Sequence, residues 1–185
     1  LPAPKMREGE PFLTLPAIIA AADGGADGGA DGDAPRLTVK IENRGKAWRT
    51  TGGFNAYGEI VGYRNRADGD RWDVFAPGLQ TQPEIGAPLA LARVLGVILI
   101  RGGNHKLVIE LAGHPTVDVD AVAGDIARFV QRYPRTHRHV TAERISYLSV
   151  ADFRDDARYG HVSRAYEAAL HACARQAAGS AQLAC

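Results

Sequence analysis

Apolar and polar positions alternate along Leu37-Thr38-Val39-Lys40-Ile41-Glu42, the period of a half-buried strand, and Asn43-Arg44-Gly45 reads as the turn that ends it. The stretch from Thr51 to Phe54, with Gly52 and Gly53, reads as loop. Asp73-Val74-Phe75-Ala76 predicts a short strand closed by Pro77-Gly78. Two apolar runs, 89–100 and 106–111, flank Arg101-Gly102-Gly103-Asn104 and predict a β-hairpin. The period then changes. Val122, Ile126, Phe129 and Val130 mark one face of a helix over 119–133, stopped by Pro134. A second helix is expected over 161–178, with Val162, Ala165, Tyr166, Ala169, Leu170 and Cys173 on one face. Short strands followed by helices predict an α+β fold, a small closed OB-like β-barrel with helices packed in the C-terminal half.

Ahead of the first strand the pattern fails. Phe12 to Ala22 is apolar but short, and Glu8 and Glu10 stand where a secretory leader carries positive charge, so it reads as a packed arm or amphiphilic strand. Residues 23–33, DGGADGGADGD, combine glycine with mutually repelling aspartates and predict a flexible linker. A calcium-binding run is the sharper alternative, but the spacing and terminal glutamate of an EF-hand loop are absent. The expected organisation is an arm and linker over 1–36, a barrel domain over 37–178 and a tail over 179–185.

Composition narrows the function classes. Lys and Arg number 22 against 21 Asp and Glu, a net charge of +1, and aromatics are 7% of the chain; both argue against a nucleic-acid binder. No apolar run approaches the length of a membrane span, so no membrane partner is expected. Cys173 and Cys185 both lie near the C-terminus and cannot frame a disulfide scaffold. The expected compartment is the cytoplasm, with a removed leader as the alternative, since the chain starts at Leu1.

Chemistry concentrates in Asp68-Gly69-Asp70-Arg71-Trp72-Asp73-Val74. In extended backbone Asp68 and Asp70 share a face, and Gly69 permits the bend that brings Asp73 to the same point. Three converging carboxylates repel unless a cation lies between them, and hard oxygen donors favour Mg²⁺, Mn²⁺ or Ca²⁺ over zinc. The simpler reading is a solvated Asp-Gly turn whose aspartates cap the backbone.

This segment resembles the signature of the family I soluble inorganic pyrophosphatases, Asp-Gly-Asp-Pro-x-Asp-Val. The flanks are similar too: Tyr57-Gly58-Glu59-Ile60 upstream, then Pro77-Gly78, Gly86, Arg93, Gly96 and Val97, then Asn104-His105-Lys106 before an apolar strand, and Ile126 to Tyr133 as a helix ending in a tyrosine. The likeness runs in order over roughly 37–175. It departs at Arg71, where the family has proline, at Asn104, where it has aspartate, and at Pro134, where it has lysine. A further loop carboxylate of the family has no counterpart near Arg101-Gly102-Gly103.

The resemblance implies hydrolysis of pyrophosphate to two phosphates with Mg²⁺, or Mn²⁺, in a homo-oligomer. It implies Asp68, Asp70 and Asp73 as metal ligands, with Asp70 also the general base. It implies Tyr57, Lys106, Tyr133, Lys46 or Arg49, and Glu42 around the substrate. Two alternatives stay open: a catalytically lapsed barrel binding a phosphorylated ligand or single-stranded nucleic acid, and a phosphohydrolase on another phosphoanhydride. His137-Arg138-His139 reads as a solvated basic loop, because nothing completes a zinc site. Ser146 and Ser163 lack a G-x-S-x-G context, and no phosphate-cradling glycine motif occurs.

Overall fold

A computed structural model describes residues 9–26, 36–44, 52–100, 104–137, 140–142 and 145–154. The second expected helix, both cysteines, Lys46 and Arg49 lie outside the described residues. The elements are α1 (Leu15–Ala26), β1 (Thr38–Asn43), β2 (Phe54–Arg64), β3 (Arg71–Leu79), β4 (Pro88–Ile100), β5 (Lys106–Leu111), α2 (Val119–Thr136), β6 (Ile145–Ser149) and α3 (Val150–Arg154). The strands run in the order β1-β2-β3-β5-β4-β6, and β1 also pairs with β4. That extra pairing, Thr38 against Ala90 and Val39 against Leu89, closes β1 to β5 into a barrel and leaves β6 on the flank of β4. The α+β barrel with helices in its C-terminal half is thus the architecture the pattern predicts.

Two apolar layers follow from strand alternation. Val39, Ile41, Ala56, Ile60, Trp72, Val74, Leu107 and Ile109 point inward and form the barrel interior. Phe75, Ile98 and Val108 belong to the other layer, which Val122, Ile126, Val130 and Tyr133 of α2 cover. In β3, Asp73 shares its face with Phe75, while Trp72 and Val74 face the interior. The face that α2 covers is therefore also the face that carries Asp73.

Several elements differ from expectation, each for a physical reason. Of the two expectations for the apolar N-terminal stretch the packed arm holds and the strand does not, since from Leu15 it is a helix. Thr14 caps α1, accepting the Ala17 N–H at 3.3 Å, and Leu15, Ile18, Ile19 and Ala22 join the barrel-interior cluster. That burial carries the helix through Asp23-Gly24-Gly25-Ala26, the first unit of the expected linker, although each glycine costs about 1 kcal/mol against alanine. Phe54 opens β2 rather than ending a loop. Gly58 and Gly62 hide the alternation of this strand, and Gly58 is required: a Cβ there would stand 2.1 Å from the Lys40 carbonyl oxygen. β3 runs through Pro77-Gly78, where Gly78 takes φ +60°. Pro134 lies inside α2 rather than stopping it. The helix ends at Thr136, so proline disturbs only the last turn, which the His137 N–H closes on the Tyr133 carbonyl at 2.9 Å. The N-terminus of α2 is secured by Asp118, whose carboxylate accepts the Asp120 and Ala121 N–H groups at 3.0 Å.

The N-terminal arm is fastened to the barrel. The Leu13 N–H donates to the Arg64 carbonyl at 3.1 Å, the Arg64 N–H to the Pro11 carbonyl at 2.9 Å and Trp72 Nε1 to the Leu13 carbonyl at 2.9 Å, and Arg71 pairs with Glu10 as well as Glu59. The Arg64 guanidinium lies 4.3 Å from the Phe12 ring centre. Among the described residues no helix is long and apolar enough to cross a membrane.

His105 supplies a pH-dependent contribution to stability. Its Nδ1 accepts the Ile100 N–H at 3.0 Å, and burial pushes its pKa down from 6.5 to about 4. Between those values the unfolded chain binds a proton that the folded chain refuses, so stability falls as pH drops from 6.5 toward 4. The slope expected from this one group approaches 1.4 kcal/mol per pH unit at most, about the full linkage for one proton. Denaturant titrations across pH 7 to about 4.5 should show a shallower loss in His105→Asn, which keeps an acceptor without a titrating ring. Parallel losses in the two proteins would exclude His105 as the source.

Candidate functional site

The acidic segment is the connection between β2 and β3, across which Arg64 pairs with Arg71. Asn65 fixes its shape: its N–H donates to the Asp70 carbonyl at 2.7 Å, its side chain accepts the Ala67 N–H at 3.0 Å, and its carbonyl accepts the Gly69 N–H at 2.9 Å. Gly69 takes φ +77°, the bend expected of it. Asp68 accepts the Asp70 N–H at 3.0 Å, which is the backbone-capping turn of the simpler reading. Asp68 is half-buried and Asp70 is exposed.

Asp73, the third residue of β3, is the hub. The Tyr57 hydroxyl donates to its Oδ1 at 2.6 Å, and the Lys106 ammonium is bonded to its Oδ2. Register accounts for the meeting: Tyr57 pairs with Phe75 across β2 and β3, and Val74 pairs with Leu107 across β3 and β5. Lys106 is 8% exposed, so it is buried against Asp73 rather than open to a cleft. Tyr133 reaches the same place from the last turn of α2. It is held by ring contacts that run Tyr57 to Phe75 (5.2 Å), Phe75 to Phe129 (5.7 Å) and Phe129 to Tyr133 (5.6 Å), with His137 stacked on Tyr133 at 3.8 Å.

The electrostatics show how closely these groups are gathered. Burial pushes the Asp68 carboxyl up; the Asp70 N–H opposes the shift, the Asp73 and Asp70 charges add to it, and Lys106 opposes it. Tyr57 is held well above the usual phenol range by burial first, then by the charge and hydrogen bond of Asp73, then by Glu42 and Tyr133. Tyr133 is raised by burial, with Lys106 opposing and Asp73 adding. Tyr57, Asp68 and Tyr133 therefore each feel the charge of Asp73, Asp68 and Tyr133 also that of Lys106, while Asp70 acts on Asp68 and Glu42, exposed on β1, acts on Tyr57. Lys46 and Arg49 lie outside the described residues. The sequence does not single out Phe75, Phe129 or His137 as part of this group. The spacing of Phe129 and Tyr133, four apart on a helix, is the signal from which their ring contact was readable.

Three hard oxygen donors against one ammonium leave this cluster short of positive charge, which suits a divalent cation in kind. Their present arrangement does not suit one. Both oxygens of Asp73 are engaged, by Tyr57 and by Lys106, and Asp68 is turned to the Asp70 backbone. Among the described residues no three His, Cys, Asp or Glu side chains form a group able to hold a metal ion. Arg71, at the family's proline position, supplies nothing to the site, because its guanidinium is taken by Glu10 and Glu59. A separate groove of about 210 Å³ runs along the start of α2, beside Gly52, Gly78, Val117, Asp118, Val122 and Asp125; no residue of the acidic cluster lines it.

Comparison with known proteins adds the following. No family model matches the chain, and no curated protein matches it. Among solved structures, an inorganic phosphatase from Anaplasma phagocytophilum is similar at 18% identity and a TM-score of 0.42, over 76% of this chain and 98% of that one. An inorganic pyrophosphatase from Thermus thermophilus is similar at 17% identity and a TM-score of 0.39, over 65% of this chain and 84% of that one.

Proposed function

We propose that this chain hydrolyses inorganic pyrophosphate to two phosphates, with Mg²⁺, or Mn²⁺ in its place, as the required cation. The observation that carries the reading is the direct bonding of Tyr57 and Lys106 to Asp73, with Asp68 and Tyr133 in the fields of Asp73 and Lys106, Asp70 beside Asp68, and Glu42 acting on Tyr57. These residues come from five separate elements and the β2–β3 loop. An ammonium and two phenols are the donors a diphosphate requires, and carboxylates beside them are what orients and deprotonates water.

In this reading Lys106, Tyr57 and Tyr133 bind phosphate oxygens and stabilise the charge that grows on the departing phosphate. Asp70, exposed at the loop tip, takes the proton of the attacking water. The water oxygen bonds to one phosphorus as the bridging P–O bond breaks, and the bridging oxygen leaves with the second phosphate. Asp68 and Asp73 supply the anionic wall to which the cation is drawn. Catalysis is then positioning and electrostatics, without a covalent intermediate.

The engagement of Asp73 by Lys106 favours a second reading, a phosphate-binding barrel without turnover. Phosphate release from pyrophosphate, measured with Mg²⁺, with Mn²⁺ and with chelator, separates the two. Release that requires the cation supports the hydrolase. Its absence under all three conditions, with retained binding of inorganic phosphate, supports the binding module. Release from another phosphoanhydride but not from pyrophosphate would reassign the substrate.

A further inference from the structure

The arm from Glu10 to Leu13 does more than lead into α1, because it lies on three arginines. Arg71 grips the Glu10 carboxylate with two nitrogens, Nε at 2.9 Å from Oε2 and Nη2 bonded to Oε1, while its Nη1 donates to Glu59 Oε1 at 2.7 Å. Arg64 Nε donates to the Glu10 carbonyl at 2.8 Å, and its guanidinium stands over the Phe12 ring, which also carries Arg66 at 5.3 Å. Three guanidinium groups thus meet two carboxylates, one carbonyl and one ring. The group keeps one positive charge in excess with Glu10 in place and two once Glu10 withdraws. An arginine fork closed on a carboxylate is the same fork that closes on a phosphate.

We propose that Arg64, Arg66 and Arg71 form a site for an oligophosphate anion, which the chain fills with its own Glu10 until such an anion displaces it. The site lies outside the acidic cluster and is independent of the hydrolysis proposed above. Exchange leaves no buried charge alone: Arg71, whose side chain is 11% exposed, keeps Glu59 and takes phosphate oxygens where Glu10 was. Glu10, already 21% exposed, turns out to water. The backbone bonds that seat the arm, Leu13 N–H to Arg64 and Arg64 N–H to Pro11, need not break, so only side chains exchange. Charge selects the ligand class. Glu10 brings a single negative charge to a group that is doubly positive without it, so an anion of higher charge is held more strongly than Glu10. Arg66 is exposed on the β2–β3 loop and Arg71 is shielded at the start of β3, so an anion with several phosphoryl groups meets both where one phosphate meets one.

The test uses the full chain with chelator present, so that no divalent cation takes part, and tripolyphosphate as the probe, followed by calorimetry. Glu10→Gln keeps the size of the side chain and removes the competing charge. It should bind tripolyphosphate about tenfold more tightly than the wild type, the factor expected if Glu10 leaves the site open about one-tenth of the time. Arg66→Gln, at an exposed position, should weaken binding severalfold in the wild-type and Glu10→Gln backgrounds alike. Arg71→Gln should abolish binding, and Arg66→Gln keeps the test open if that shielded change fails to fold. Equal or weaker binding in Glu10→Gln overturns the proposal. So does a tightening that Arg66→Gln leaves intact, because the anion then sits elsewhere. Binding kept in Arg66→Gln but lost in Lys106→Met assigns the probe to the candidate site and overturns it as well. Phosphate release from pyrophosphate is read separately, with the cation present. A failure here therefore leaves the hydrolase reading standing, and a failure there leaves the arginine site standing.

Discussion

Asp70→Asn should lower Mg²⁺-dependent phosphate release from pyrophosphate by about a hundredfold or more, the usual scale for loss of a general base. The substitution keeps the size of the side chain and removes the charge that takes the proton. Asp70 is exposed, and both hydrogen bonds that tie it into the β2–β3 loop run through its backbone, to Asn65 and to Asp68. The loop should therefore hold its shape, and the unfolding midpoint should stay within the scatter of the wild type. One carboxylate fewer beside Asp68 also relieves part of the repulsion that lifts the Asp68 carboxyl. Steady-state kinetics with and without Mg²⁺, alongside a denaturant titration, provide the check. Activity within a fewfold of wild type would remove Asp70 from the reaction.

Trp72→Ala should cost about 4 kcal/mol, at the upper end of core truncations. Trp72 is fully buried in the barrel interior, and its indole N–H is also the bond that fastens Leu13. The change therefore opens a cavity and loosens the arm that leads into α1, whose Leu15 and Ile18 share that core. Trp72→Phe separates the two effects, retaining most of the packing while losing the bond to Leu13. Denaturant unfolding gives the stability, and limited proteolysis ahead of α1 reports the arm. Similar losses in both variants would place the whole effect in the hydrogen bond.

Much of this was legible because each signal was strictly local. The alternation over 37–42, the two apolar runs about the glycine pair, and the stripe Val122, Ile126, Val130 are read from neighbours in sequence, and β1, the β4–β5 pairing and α2 stand where those patterns put them. What escaped depends on partners far along the chain. The inner side of β2 presents Ala56, Gly58 and Ile60, too little apolar bulk to read as a strand, and only its contact with β1 explains Gly58. α1 contains a sequence that would not hold a helix alone; the barrel interior holds it. At the site, the residue types gathered round Asp73 were readable, and so was the turn at Gly69. The commitment of Asp73 to Lys106 was not, because it arises from β3 and β5 lying side by side in parallel, a neighbour relation no spacing of residues encodes.

Closure of the barrel through β1 and β4 bears on how the chain is made as well as how it rests. β1 leaves the ribosome early, and its partner residues Pro88, Leu89 and Ala90 follow only after β2 and β3. Until then one margin of the nascent sheet is bare, with backbone donors and acceptors free to join another copy. Pairings this far apart in sequence also slow the search for the closed state. Recovery of folded protein from denaturant should accordingly fall as chain concentration rises, with the yield lost to aggregates that form before Ala90 finds Thr38.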